Sequence, residues 1–357
     1  MRISILLISF CFLGSSFGQS TPVPGLPFES MQKVGFNPEE INHIVNTIWS
    51  MPPGDFRGLV VIKDHKLVIE EYFHTFWRIS IHDIRSAGKG VTALLAGIAV
   101  KDGLINDLDQ DVYSLLPKEK YPTIHEDFKK ITVRHLLNMT SGLDADTDRS
   151  ETSGHAVNWN SLDNWKDYIL GISLAAEPEE RWTYADINAL IIAAIIEEKA
   201  GMSLKDYAKQ KLFDPLGITQ FYWYTNASNQ TGAAGNLYLS TLDFAKLGVL
   251  IANEGKWQQQ QIVDPDYVAQ LINEKKQGVS EWWNMADSYG FFWYKAQRTF
   301  NGKTFDYLFA SGNGGNHLVV IPKYDMVIAL TSSAYGQRYS QRRTFDIMKR
   351  VLSAFDP

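Results

Sequence analysis

Strand-forming segments lie towards the two ends of this 357-residue chain, and a long, mainly helical stretch separates them. Phe56–Lys63 and Lys66–Phe73 are rich in β-branched and aromatic residues and meet at Asp64-His65, the pattern of a hairpin. Strand patterns return at Gly290–Gln297, Thr304–Ala310, His317–Ile321 and Met326–Ser332, and Gln341–Phe355 closes the chain as a helix. Between them run helical patterns at Thr132–Asn138, Trp165–Leu170, Ile187–Ala200, Leu204–Leu212 and Leu242–Asn253, with Thr132 and Ser203 as N-caps. An earlier helix opens at Asn37-Pro38 and runs to about Trp49. This order predicts an α/β (α+β) fold whose antiparallel sheet is formed by both chain ends and flanked by helices. The α/β part spans about 30–102 and 285–357, and a mainly helical subdomain, about 103–284, is inserted between. A cleft between the two parts is a natural place for a site.

The strongest chemical signal is Ser86-Ala87-Gly88-Lys89 at the head of an apolar run, Val91–Val100, in which only Gly97 is a breaker. A helix from about Ser86 to Asp102 would put the serine and the lysine three apart on one face, close enough to meet. A serine hydroxyl is a weak nucleophile until its proton is taken, and a neighbouring amine of lowered pKa can take it. The helix N-terminus adds N–H groups that favour developing negative charge. Two other motif matches lack this setting. Ser30-Met31-Gln32-Lys33 lies among Pro24, Pro27, Gly35 and Pro38, where no useful helix forms, and Gly14–Gly18 fits G-x-S-x-G inside a segment expected to be removed.

That segment is the N-terminus. One arginine, an apolar run from Ile3 to Leu13 and small residues before Gln19 describe a secretory signal peptide over residues 1–18. The run is shorter than the roughly 20 residues a membrane-spanning helix needs. An exported, periplasmic or secreted protein follows, with no membrane span in the mature chain. Cys11 is the only cysteine, so the mature protein would have no disulfide, thiol nucleophile or cysteine metal site. A formal net charge of −6 argues against nucleic acid as a partner. The eight histidines are scattered without an H-E-x-x-H pattern, and neither metal nor cofactor is expected.

Acyl transfer also needs a proton carrier for the leaving group and N–H donors for an oxyanion. Tyr184, in Arg181-Trp-Thr-Tyr184-Ala-Asp186 just before the Ile187–Ala200 helix, suits the first task if a lysine ammonium stands beside it. Ala310-Ser311-Gly312-Asn313-Gly314-Gly315-Asn316 lies between two strands, and its glycines let backbone approach a ligand closely.

These pieces, in this order, resemble the serine β-lactamase and penicillin-binding-protein superfamily. The branch is the one holding class C β-lactamases, family VIII esterases, D-amino-acid peptidases and 6-aminohexanoate-dimer hydrolase. Ile131-Thr-Val-Arg-His-Leu-Leu-Asn-Met-Thr-Ser-Gly142, Leu212-Phe-Asp-Pro-Leu-Gly-Ile218 and Leu237–Lys246 extend the resemblance, which covers roughly Phe56 to Ala334. It implies a β-lactamase/transpeptidase-like fold, with Ser86 the acylated nucleophile, Lys89 the group that deprotonates it and Tyr184 the relay to the leaving group. Backbone N–H groups of Ser86 and Asn313 would form the oxyanion hole, while Asp186, Ser311, Gly312 and Asn316 would meet the substrate.

Two positions depart from the family pattern. Asp186 stands where the Y-x-N element has Asn, and Ala310 where the K-T-G element has Lys. Loss of a lysine that helps recognise the penicillin carboxylate, together with an added negative charge, disfavours an anionic β-lactam. The expectation is a secreted serine hydrolase acting on small-molecule esters or amides. The alternatives are a β-lactamase or D-amino-acid peptidase of the same fold, and a non-catalytic penicillin-binding-like protein that only binds a ligand. Neither the natural substrate nor the oligomeric state can be read from the sequence.

Overall fold

A computed structural model describes residues 22–356, apart from the Trp282 side chain, so the expected signal segment with Cys11 lies outside the described residues. Seven strands form the main sheet: β1 Phe56–Lys63, β2 Lys66–Tyr72, β3 Ser288–Gly290, β4 Trp293–Phe300, β5 Lys303–Gly312, β6 Asn316–Ile321 and β7 Met326–Ser332. Their order is β2-β1-β7-β6-β5-β4-β3, every neighbouring pair antiparallel. The first and last strands of the chain meet at the middle, with Leu59 opposite Leu330. Both chain ends therefore build one sheet, and the fold is β-lactamase/transpeptidase-like, an antiparallel sheet flanked by helices.

The long helices are numbered here α1 Pro38–Ser50, α2 Gly88–Lys101, α3 Asp186–Ala200, α4 Thr241–Ala252 and α5 Ser340–Ser353. Side chains alternate across a strand, and β6 shows which helix covers which face. Leu318 and Val320 point at Gly248 of α4, whereas His317 points at Gln341 of α5. Helix α2 is apolar all round, so it must be enclosed, and every residue from Gly88 to Ala99 is buried. Helix α3 is buried from Ile187 to Glu197 for the same reason. The chain ends are tied together. Asn37 N donates to Ala354 O at 2.9 Å, the rings of Phe36 and Phe355 lie 5.1 Å apart, and Asp55 accepts from Arg343 and from the Tyr339 hydroxyl.

The strand expected at Gly290–Gln297 is two strands. Phe291 and Phe292 both take positive φ, 54° and 61°, and turn the chain back as a hairpin. Bulky residues rarely adopt that conformation. Here burial compensates: Phe291 is fully enclosed against the Tyr267 ring, Asn138 Oδ1 accepts from Phe291 N, and Leu137 O accepts from Phe292 N. In the inserted region the short strand Leu237–Leu239 pairs on one side with Tyr222–Trp223 and on the other with His82–Asp83, just ahead of Ser86. Two- and three-residue strands carry too little periodicity to be read in advance.

Candidate active site

Ser86 stands just ahead of the expected helix rather than in its first turn. It lies on a 3-10 turn, Arg85–Ala87, and α2 begins only at Gly88. Two hydrogen bonds hold the turn, and its backbone is bent at Arg85. Asp83 Oδ1 accepts from Arg85 N at 2.8 Å, Leu237 O accepts from Ile84 N at 3.0 Å, and Arg85 takes φ 54°. The three-residue spacing still delivers Lys89 to the same region as Ser86.

Lys89 is 1% exposed, and its ammonium has a built surround. It lies 2.7 Å from Asp186 Oδ1, donates to Ala234 O at 2.8 Å, and sits 4.8 Å from the centroid of the Tyr184 ring. Burial alone would push this lysine's pKa down. Asp186 and then Tyr184, to which Lys89 is also hydrogen-bonded, outweigh burial and leave it raised above the ordinary value. The expected amine of lowered pKa is thus an ammonium. The cause is the acid at 186: a carboxylate there keeps the proton on the lysine. Asp186 in turn stands in an ion pair with Lys89 rather than alone.

Tyr184 is buried among Trp182, Tyr289 and Tyr294, its ring stacked 6.5 Å from that of Tyr294. The backbone fixes it from both sides, since Tyr184 O accepts from Thr147 N and Met139 O accepts from Thr183 N.

On the other flank, β5 ends at Gly312 directly against the Ser86 turn. A Cβ at Gly312 would come within 1.9 Å of Ile84 O and 3.1 Å of Ala87 N, so only glycine lets the strand approach this closely. Asn313 follows, its Oδ1 accepting from Gly336 N at 2.8 Å. Gly314 and Gly315 both have positive φ, 93° and 89°, and turn the chain into β6. Asn316, expected at the substrate, is not there. It is fully buried, its Nδ2 donating to Asn313 O at 2.9 Å and its Oδ1 accepting from Ser332 N at 3.2 Å, so it shapes the loop instead. Ala310 is likewise enclosed, packed beside Gly90 of α2, and a lysine at this position would drive a charge into the core.

Ser86, Tyr184, Ser311, Gly312 and Asn313 line one open cavity of about 420 Å³. Trp283 and Tyr294 also line it, and sequence reasoning missed its further walls, Arg338 and Gln341 together with Thr147 and Asp148 from the inserted region. A second cavity of about 270 Å³ shares Ser86 and Asn313 with the first; Trp159, Trp165, Leu190, Asn236 and Asp186 line it. Ser86 therefore stands at the junction of two recesses. Among the described residues no group of three or more His, Cys, Asp or Glu could hold a metal, and no helix is long and apolar enough to cross a membrane.

Known proteins agree with this architecture. A family named Beta-lactamase matches residues 54–349. Penicillin-binding protein 4* of Bacillus subtilis is 32% identical over 148 residues, which is 40% of this chain and 30% of that protein. Among solved structures, EstCE1, a hydrolase with promiscuous acyltransferase activity, superposes with a TM-score of 0.71 at 15% identity, covering 88% of this chain and 97% of that one. D-amino acid amidase from Ochrobactrum anthropi gives a TM-score of 0.65 at 15% identity, with coverage of 88% and 98%. At those identities the two structures speak for the fold. The family match spans the sheet, the Ser86 turn and the Gly312 loop, and the chain belongs to the Beta-lactamase family of hydrolases.

Proposed function

We propose that this protein is a serine hydrolase that cleaves carboxylic esters or amides through an acyl-enzyme on Ser86. The observation that carries the reading is the junction itself: Ser86, Tyr184 and Asn313 share one cavity, and Lys89 is buried beside Tyr184 as an ammonium.

The raised lysine decides how the proton moves. An ammonium paired with Asp186 cannot serve as the base, so Lys89 acts as a fixed charge. Tyr184 then works in both directions. In one concerted relay its oxygen accepts the Ser86 proton while its own proton passes to the leaving oxygen or nitrogen, so that the Ser86–carbonyl bond forms as the bond to the leaving group breaks. No net charge is created, and partial phenolate character on Tyr184 is stabilised by the adjacent ammonium. Water repeats the steps in reverse to release the acid. Backbone N–H groups of Ser86 and Asn313 receive the oxyanion.

Because Tyr184 delivers the proton, the leaving group occupies the larger recess, which Tyr184 lines, and the acyl chain enters the smaller one between Trp159, Trp165 and Leu190. One observation favours a second reading. Arg338 is exposed on the leaving-group side. A carboxylate-bearing leaving group, as in β-lactams or D-peptides, would find a cation there.

Intact-mass analysis after incubation with p-nitrophenyl esters, aryl amides, nitrocefin and a D-alanyl peptide tests both readings. The expected result is an acyl adduct from esters or amides that Ser86→Ala lacks. An adduct on another residue, or none with any substrate, overturns the mechanism. Export through the N-terminal segment belongs to the same proposal, and N-terminal sequencing of protein from the culture medium or periplasm should give a start near Gln19.

A further inference from the structure

The cavity wall contributed by α5 holds a hydrogen-bond chain that the proton-transfer scheme does not use. Gln341 Nε2 lies 2.8 Å from Gly312 O, Gln341 Oε1 lies 3.1 Å from Ser311 Oγ, and the same Oε1 is 2.6 Å from His317 Nε2. The polarity of the whole chain follows from one fact: a backbone carbonyl can only accept. Gly312 O therefore fixes the Gln341 NH₂ towards itself, and Oε1 must face the other two groups. Both of those must donate, which makes the Ser311 hydroxyl a donor and His317 the Nε2–H tautomer. His317 is fully buried, burial lowers its pKa to about 4, and its Nδ1 has no partner among the described residues, so the ring stays neutral and the chain stays in one state.

Gly312 O belongs to the peptide whose nitrogen is that of Asn313. We propose that Gln341 is a positioning residue for the oxyanion hole: through Gly312 O it fixes the plane of the Gly312–Asn313 peptide and aims the Asn313 N–H at the oxyanion. The inference rests on the reading of Ser86 and Asn313 given above. Two further contacts act on the same loop from its far side, Asn313 Oδ1 to Gly336 N and Gly315 O to the Thr344 hydroxyl, so the peptide is restrained at both ends. A hydrogen bond into a peptide carbonyl also polarises the N–H on the other side of the amide, which strengthens its donation. The Ser311 hydroxyl, having given its proton to Gln341, presents only lone pairs to the cavity. It can accept from a leaving group but not donate to one.

The test uses the full-length enzyme with Gln341→Met and Gln341→Glu, two changes of similar size that remove the donor to Gly312 O, and Arg342→Ala on the exposed side of α5 as control. Three quantities are read: kcat and KM for a p-nitrophenyl ester, the inhibition constant of an alkyl boronic acid, and the stoichiometry of a phosphonate adduct by mass. Loss of an oxyanion donor outright costs about 10²–10³ in kcat. A donor left in place but misaimed should cost less, roughly ten- to a hundredfold. The expected result is that fall in kcat, KM within threefold, weakening of the tetrahedral boronate adduct by a matching factor, and stoichiometric phosphonylation retained. Wild-type kcat and boronate affinity in either folded variant would overturn the proposal. So would a fall in kcat with boronate binding unchanged, because the loss would then not be specific to the tetrahedral state. Should both Gln341 variants fail to fold, Ser311→Ala with His317→Gln removes one of the two donors to Oε1 and weakens the other, and the same readouts apply. If wild-type enzyme forms no adduct on Ser86 at all, the underlying reading fails, and that outcome is distinct from failure of the Gln341 proposal.

Discussion

The two flanks of Ser86 are built on different physics. On the α3 side stand charges: the Lys89 ammonium, the Asp186 carboxylate and the Tyr184 phenol, enclosed together at 2.7–4.8 Å. On the α5 side stand neutral dipoles, with the Gly312 carbonyl, Gln341, Ser311 and His317 joined by hydrogen bonds that have one possible polarity. A flank that moves protons has to hold groups whose charge can be shared or exchanged. A flank that receives an oxyanion gains from groups whose charge does not change with pH, since its donors must point the same way at every turn of the cycle. The division of labour is thus written into the residue types.

The largest expected effect would break the comparison at its centre. Ser86→Ala should lower ester turnover by several orders of magnitude, to the level the two flanks support without a nucleophile, while leaving substrate affinity near wild type. Stopped assays with a p-nitrophenyl ester check it, and an active Ser86→Ala enzyme would dissolve the distinction between flanks altogether.

Next come the charged groups. Tyr184→Phe should stay folded and lose about 10²–10⁴ in kcat, the range for removing a positioned proton carrier. Lys89→Ala should cost a similar amount of activity and also lower the thermal midpoint, because Asp186 is left without its partner in a largely enclosed position. A Lys89→Ala enzyme with normal kcat would show that the ammonium is only structural.

Asp186→Asn sharpens the comparison further by restoring an amide to the charged flank. The carboxylate is what raises the Lys89 pKa against burial, so its removal must lower that pKa. Activity that requires the ammonium is lost as the lysine deprotonates, and the alkaline limb of the kcat profile should therefore move to lower pH. A limb that stays put or moves up would remove Lys89 from the proton-transfer unit.

The smallest effect concerns stability. His82 and His317 are both held near a pKa of about 4 by burial, against an ordinary value of 6.5. Below pH 6.5 the unfolded chain binds protons at these positions and the folded chain does not. Stability is therefore fully present above that pH and falls between about 6.5 and 4, by up to roughly 3 kcal/mol for each histidine. Chemical denaturation across this window should show the loss, and His317→Gln should remove part of it. An unchanged pH slope in that variant would mean the buried ring is not what titrates.

How much of this was legible in the sequence also differs between the flanks. The charged flank announced itself, since the spacing of Ser86 and Lys89 and the loop before Ile187 are local patterns with a local geometric meaning. The sheet built from both ends was equally readable, because each of its long strands carries its own apolar pattern. The neutral flank was only half visible. Gly312 and Asn313 could be placed, but Gln341 lies 28 residues further on and looks like any polar residue at a helix start. What gives it meaning is a strand-to-helix contact across the sheet, and no periodicity encodes that. Asn316 was misassigned for the converse reason, as a polar residue beside a candidate site is indistinguishable in sequence from one that braces the loop. The Phe291-Phe292 hairpin was hidden because bulky residues at positive φ run against every local preference and are held there only by tertiary burial.

The meeting of the two chain ends has a temporal consequence. A ribosome delivers Ser86, Lys89 and Tyr184 long before it delivers Ser311, Gly312 and Asn313, and Gln341 and Arg343 arrive with the final helix. Before Met326–Ser332 is made β1 has no β7 beside it, and Asp55 lacks Arg343 until α5 follows. Under the mechanism proposed above, a nascent chain carries Ser86 well before the groups that would let it react are made. A chain cut before Ser340 keeps Ser86, Lys89 and Tyr184 and lacks the helix that carries Gln341 to Gly312.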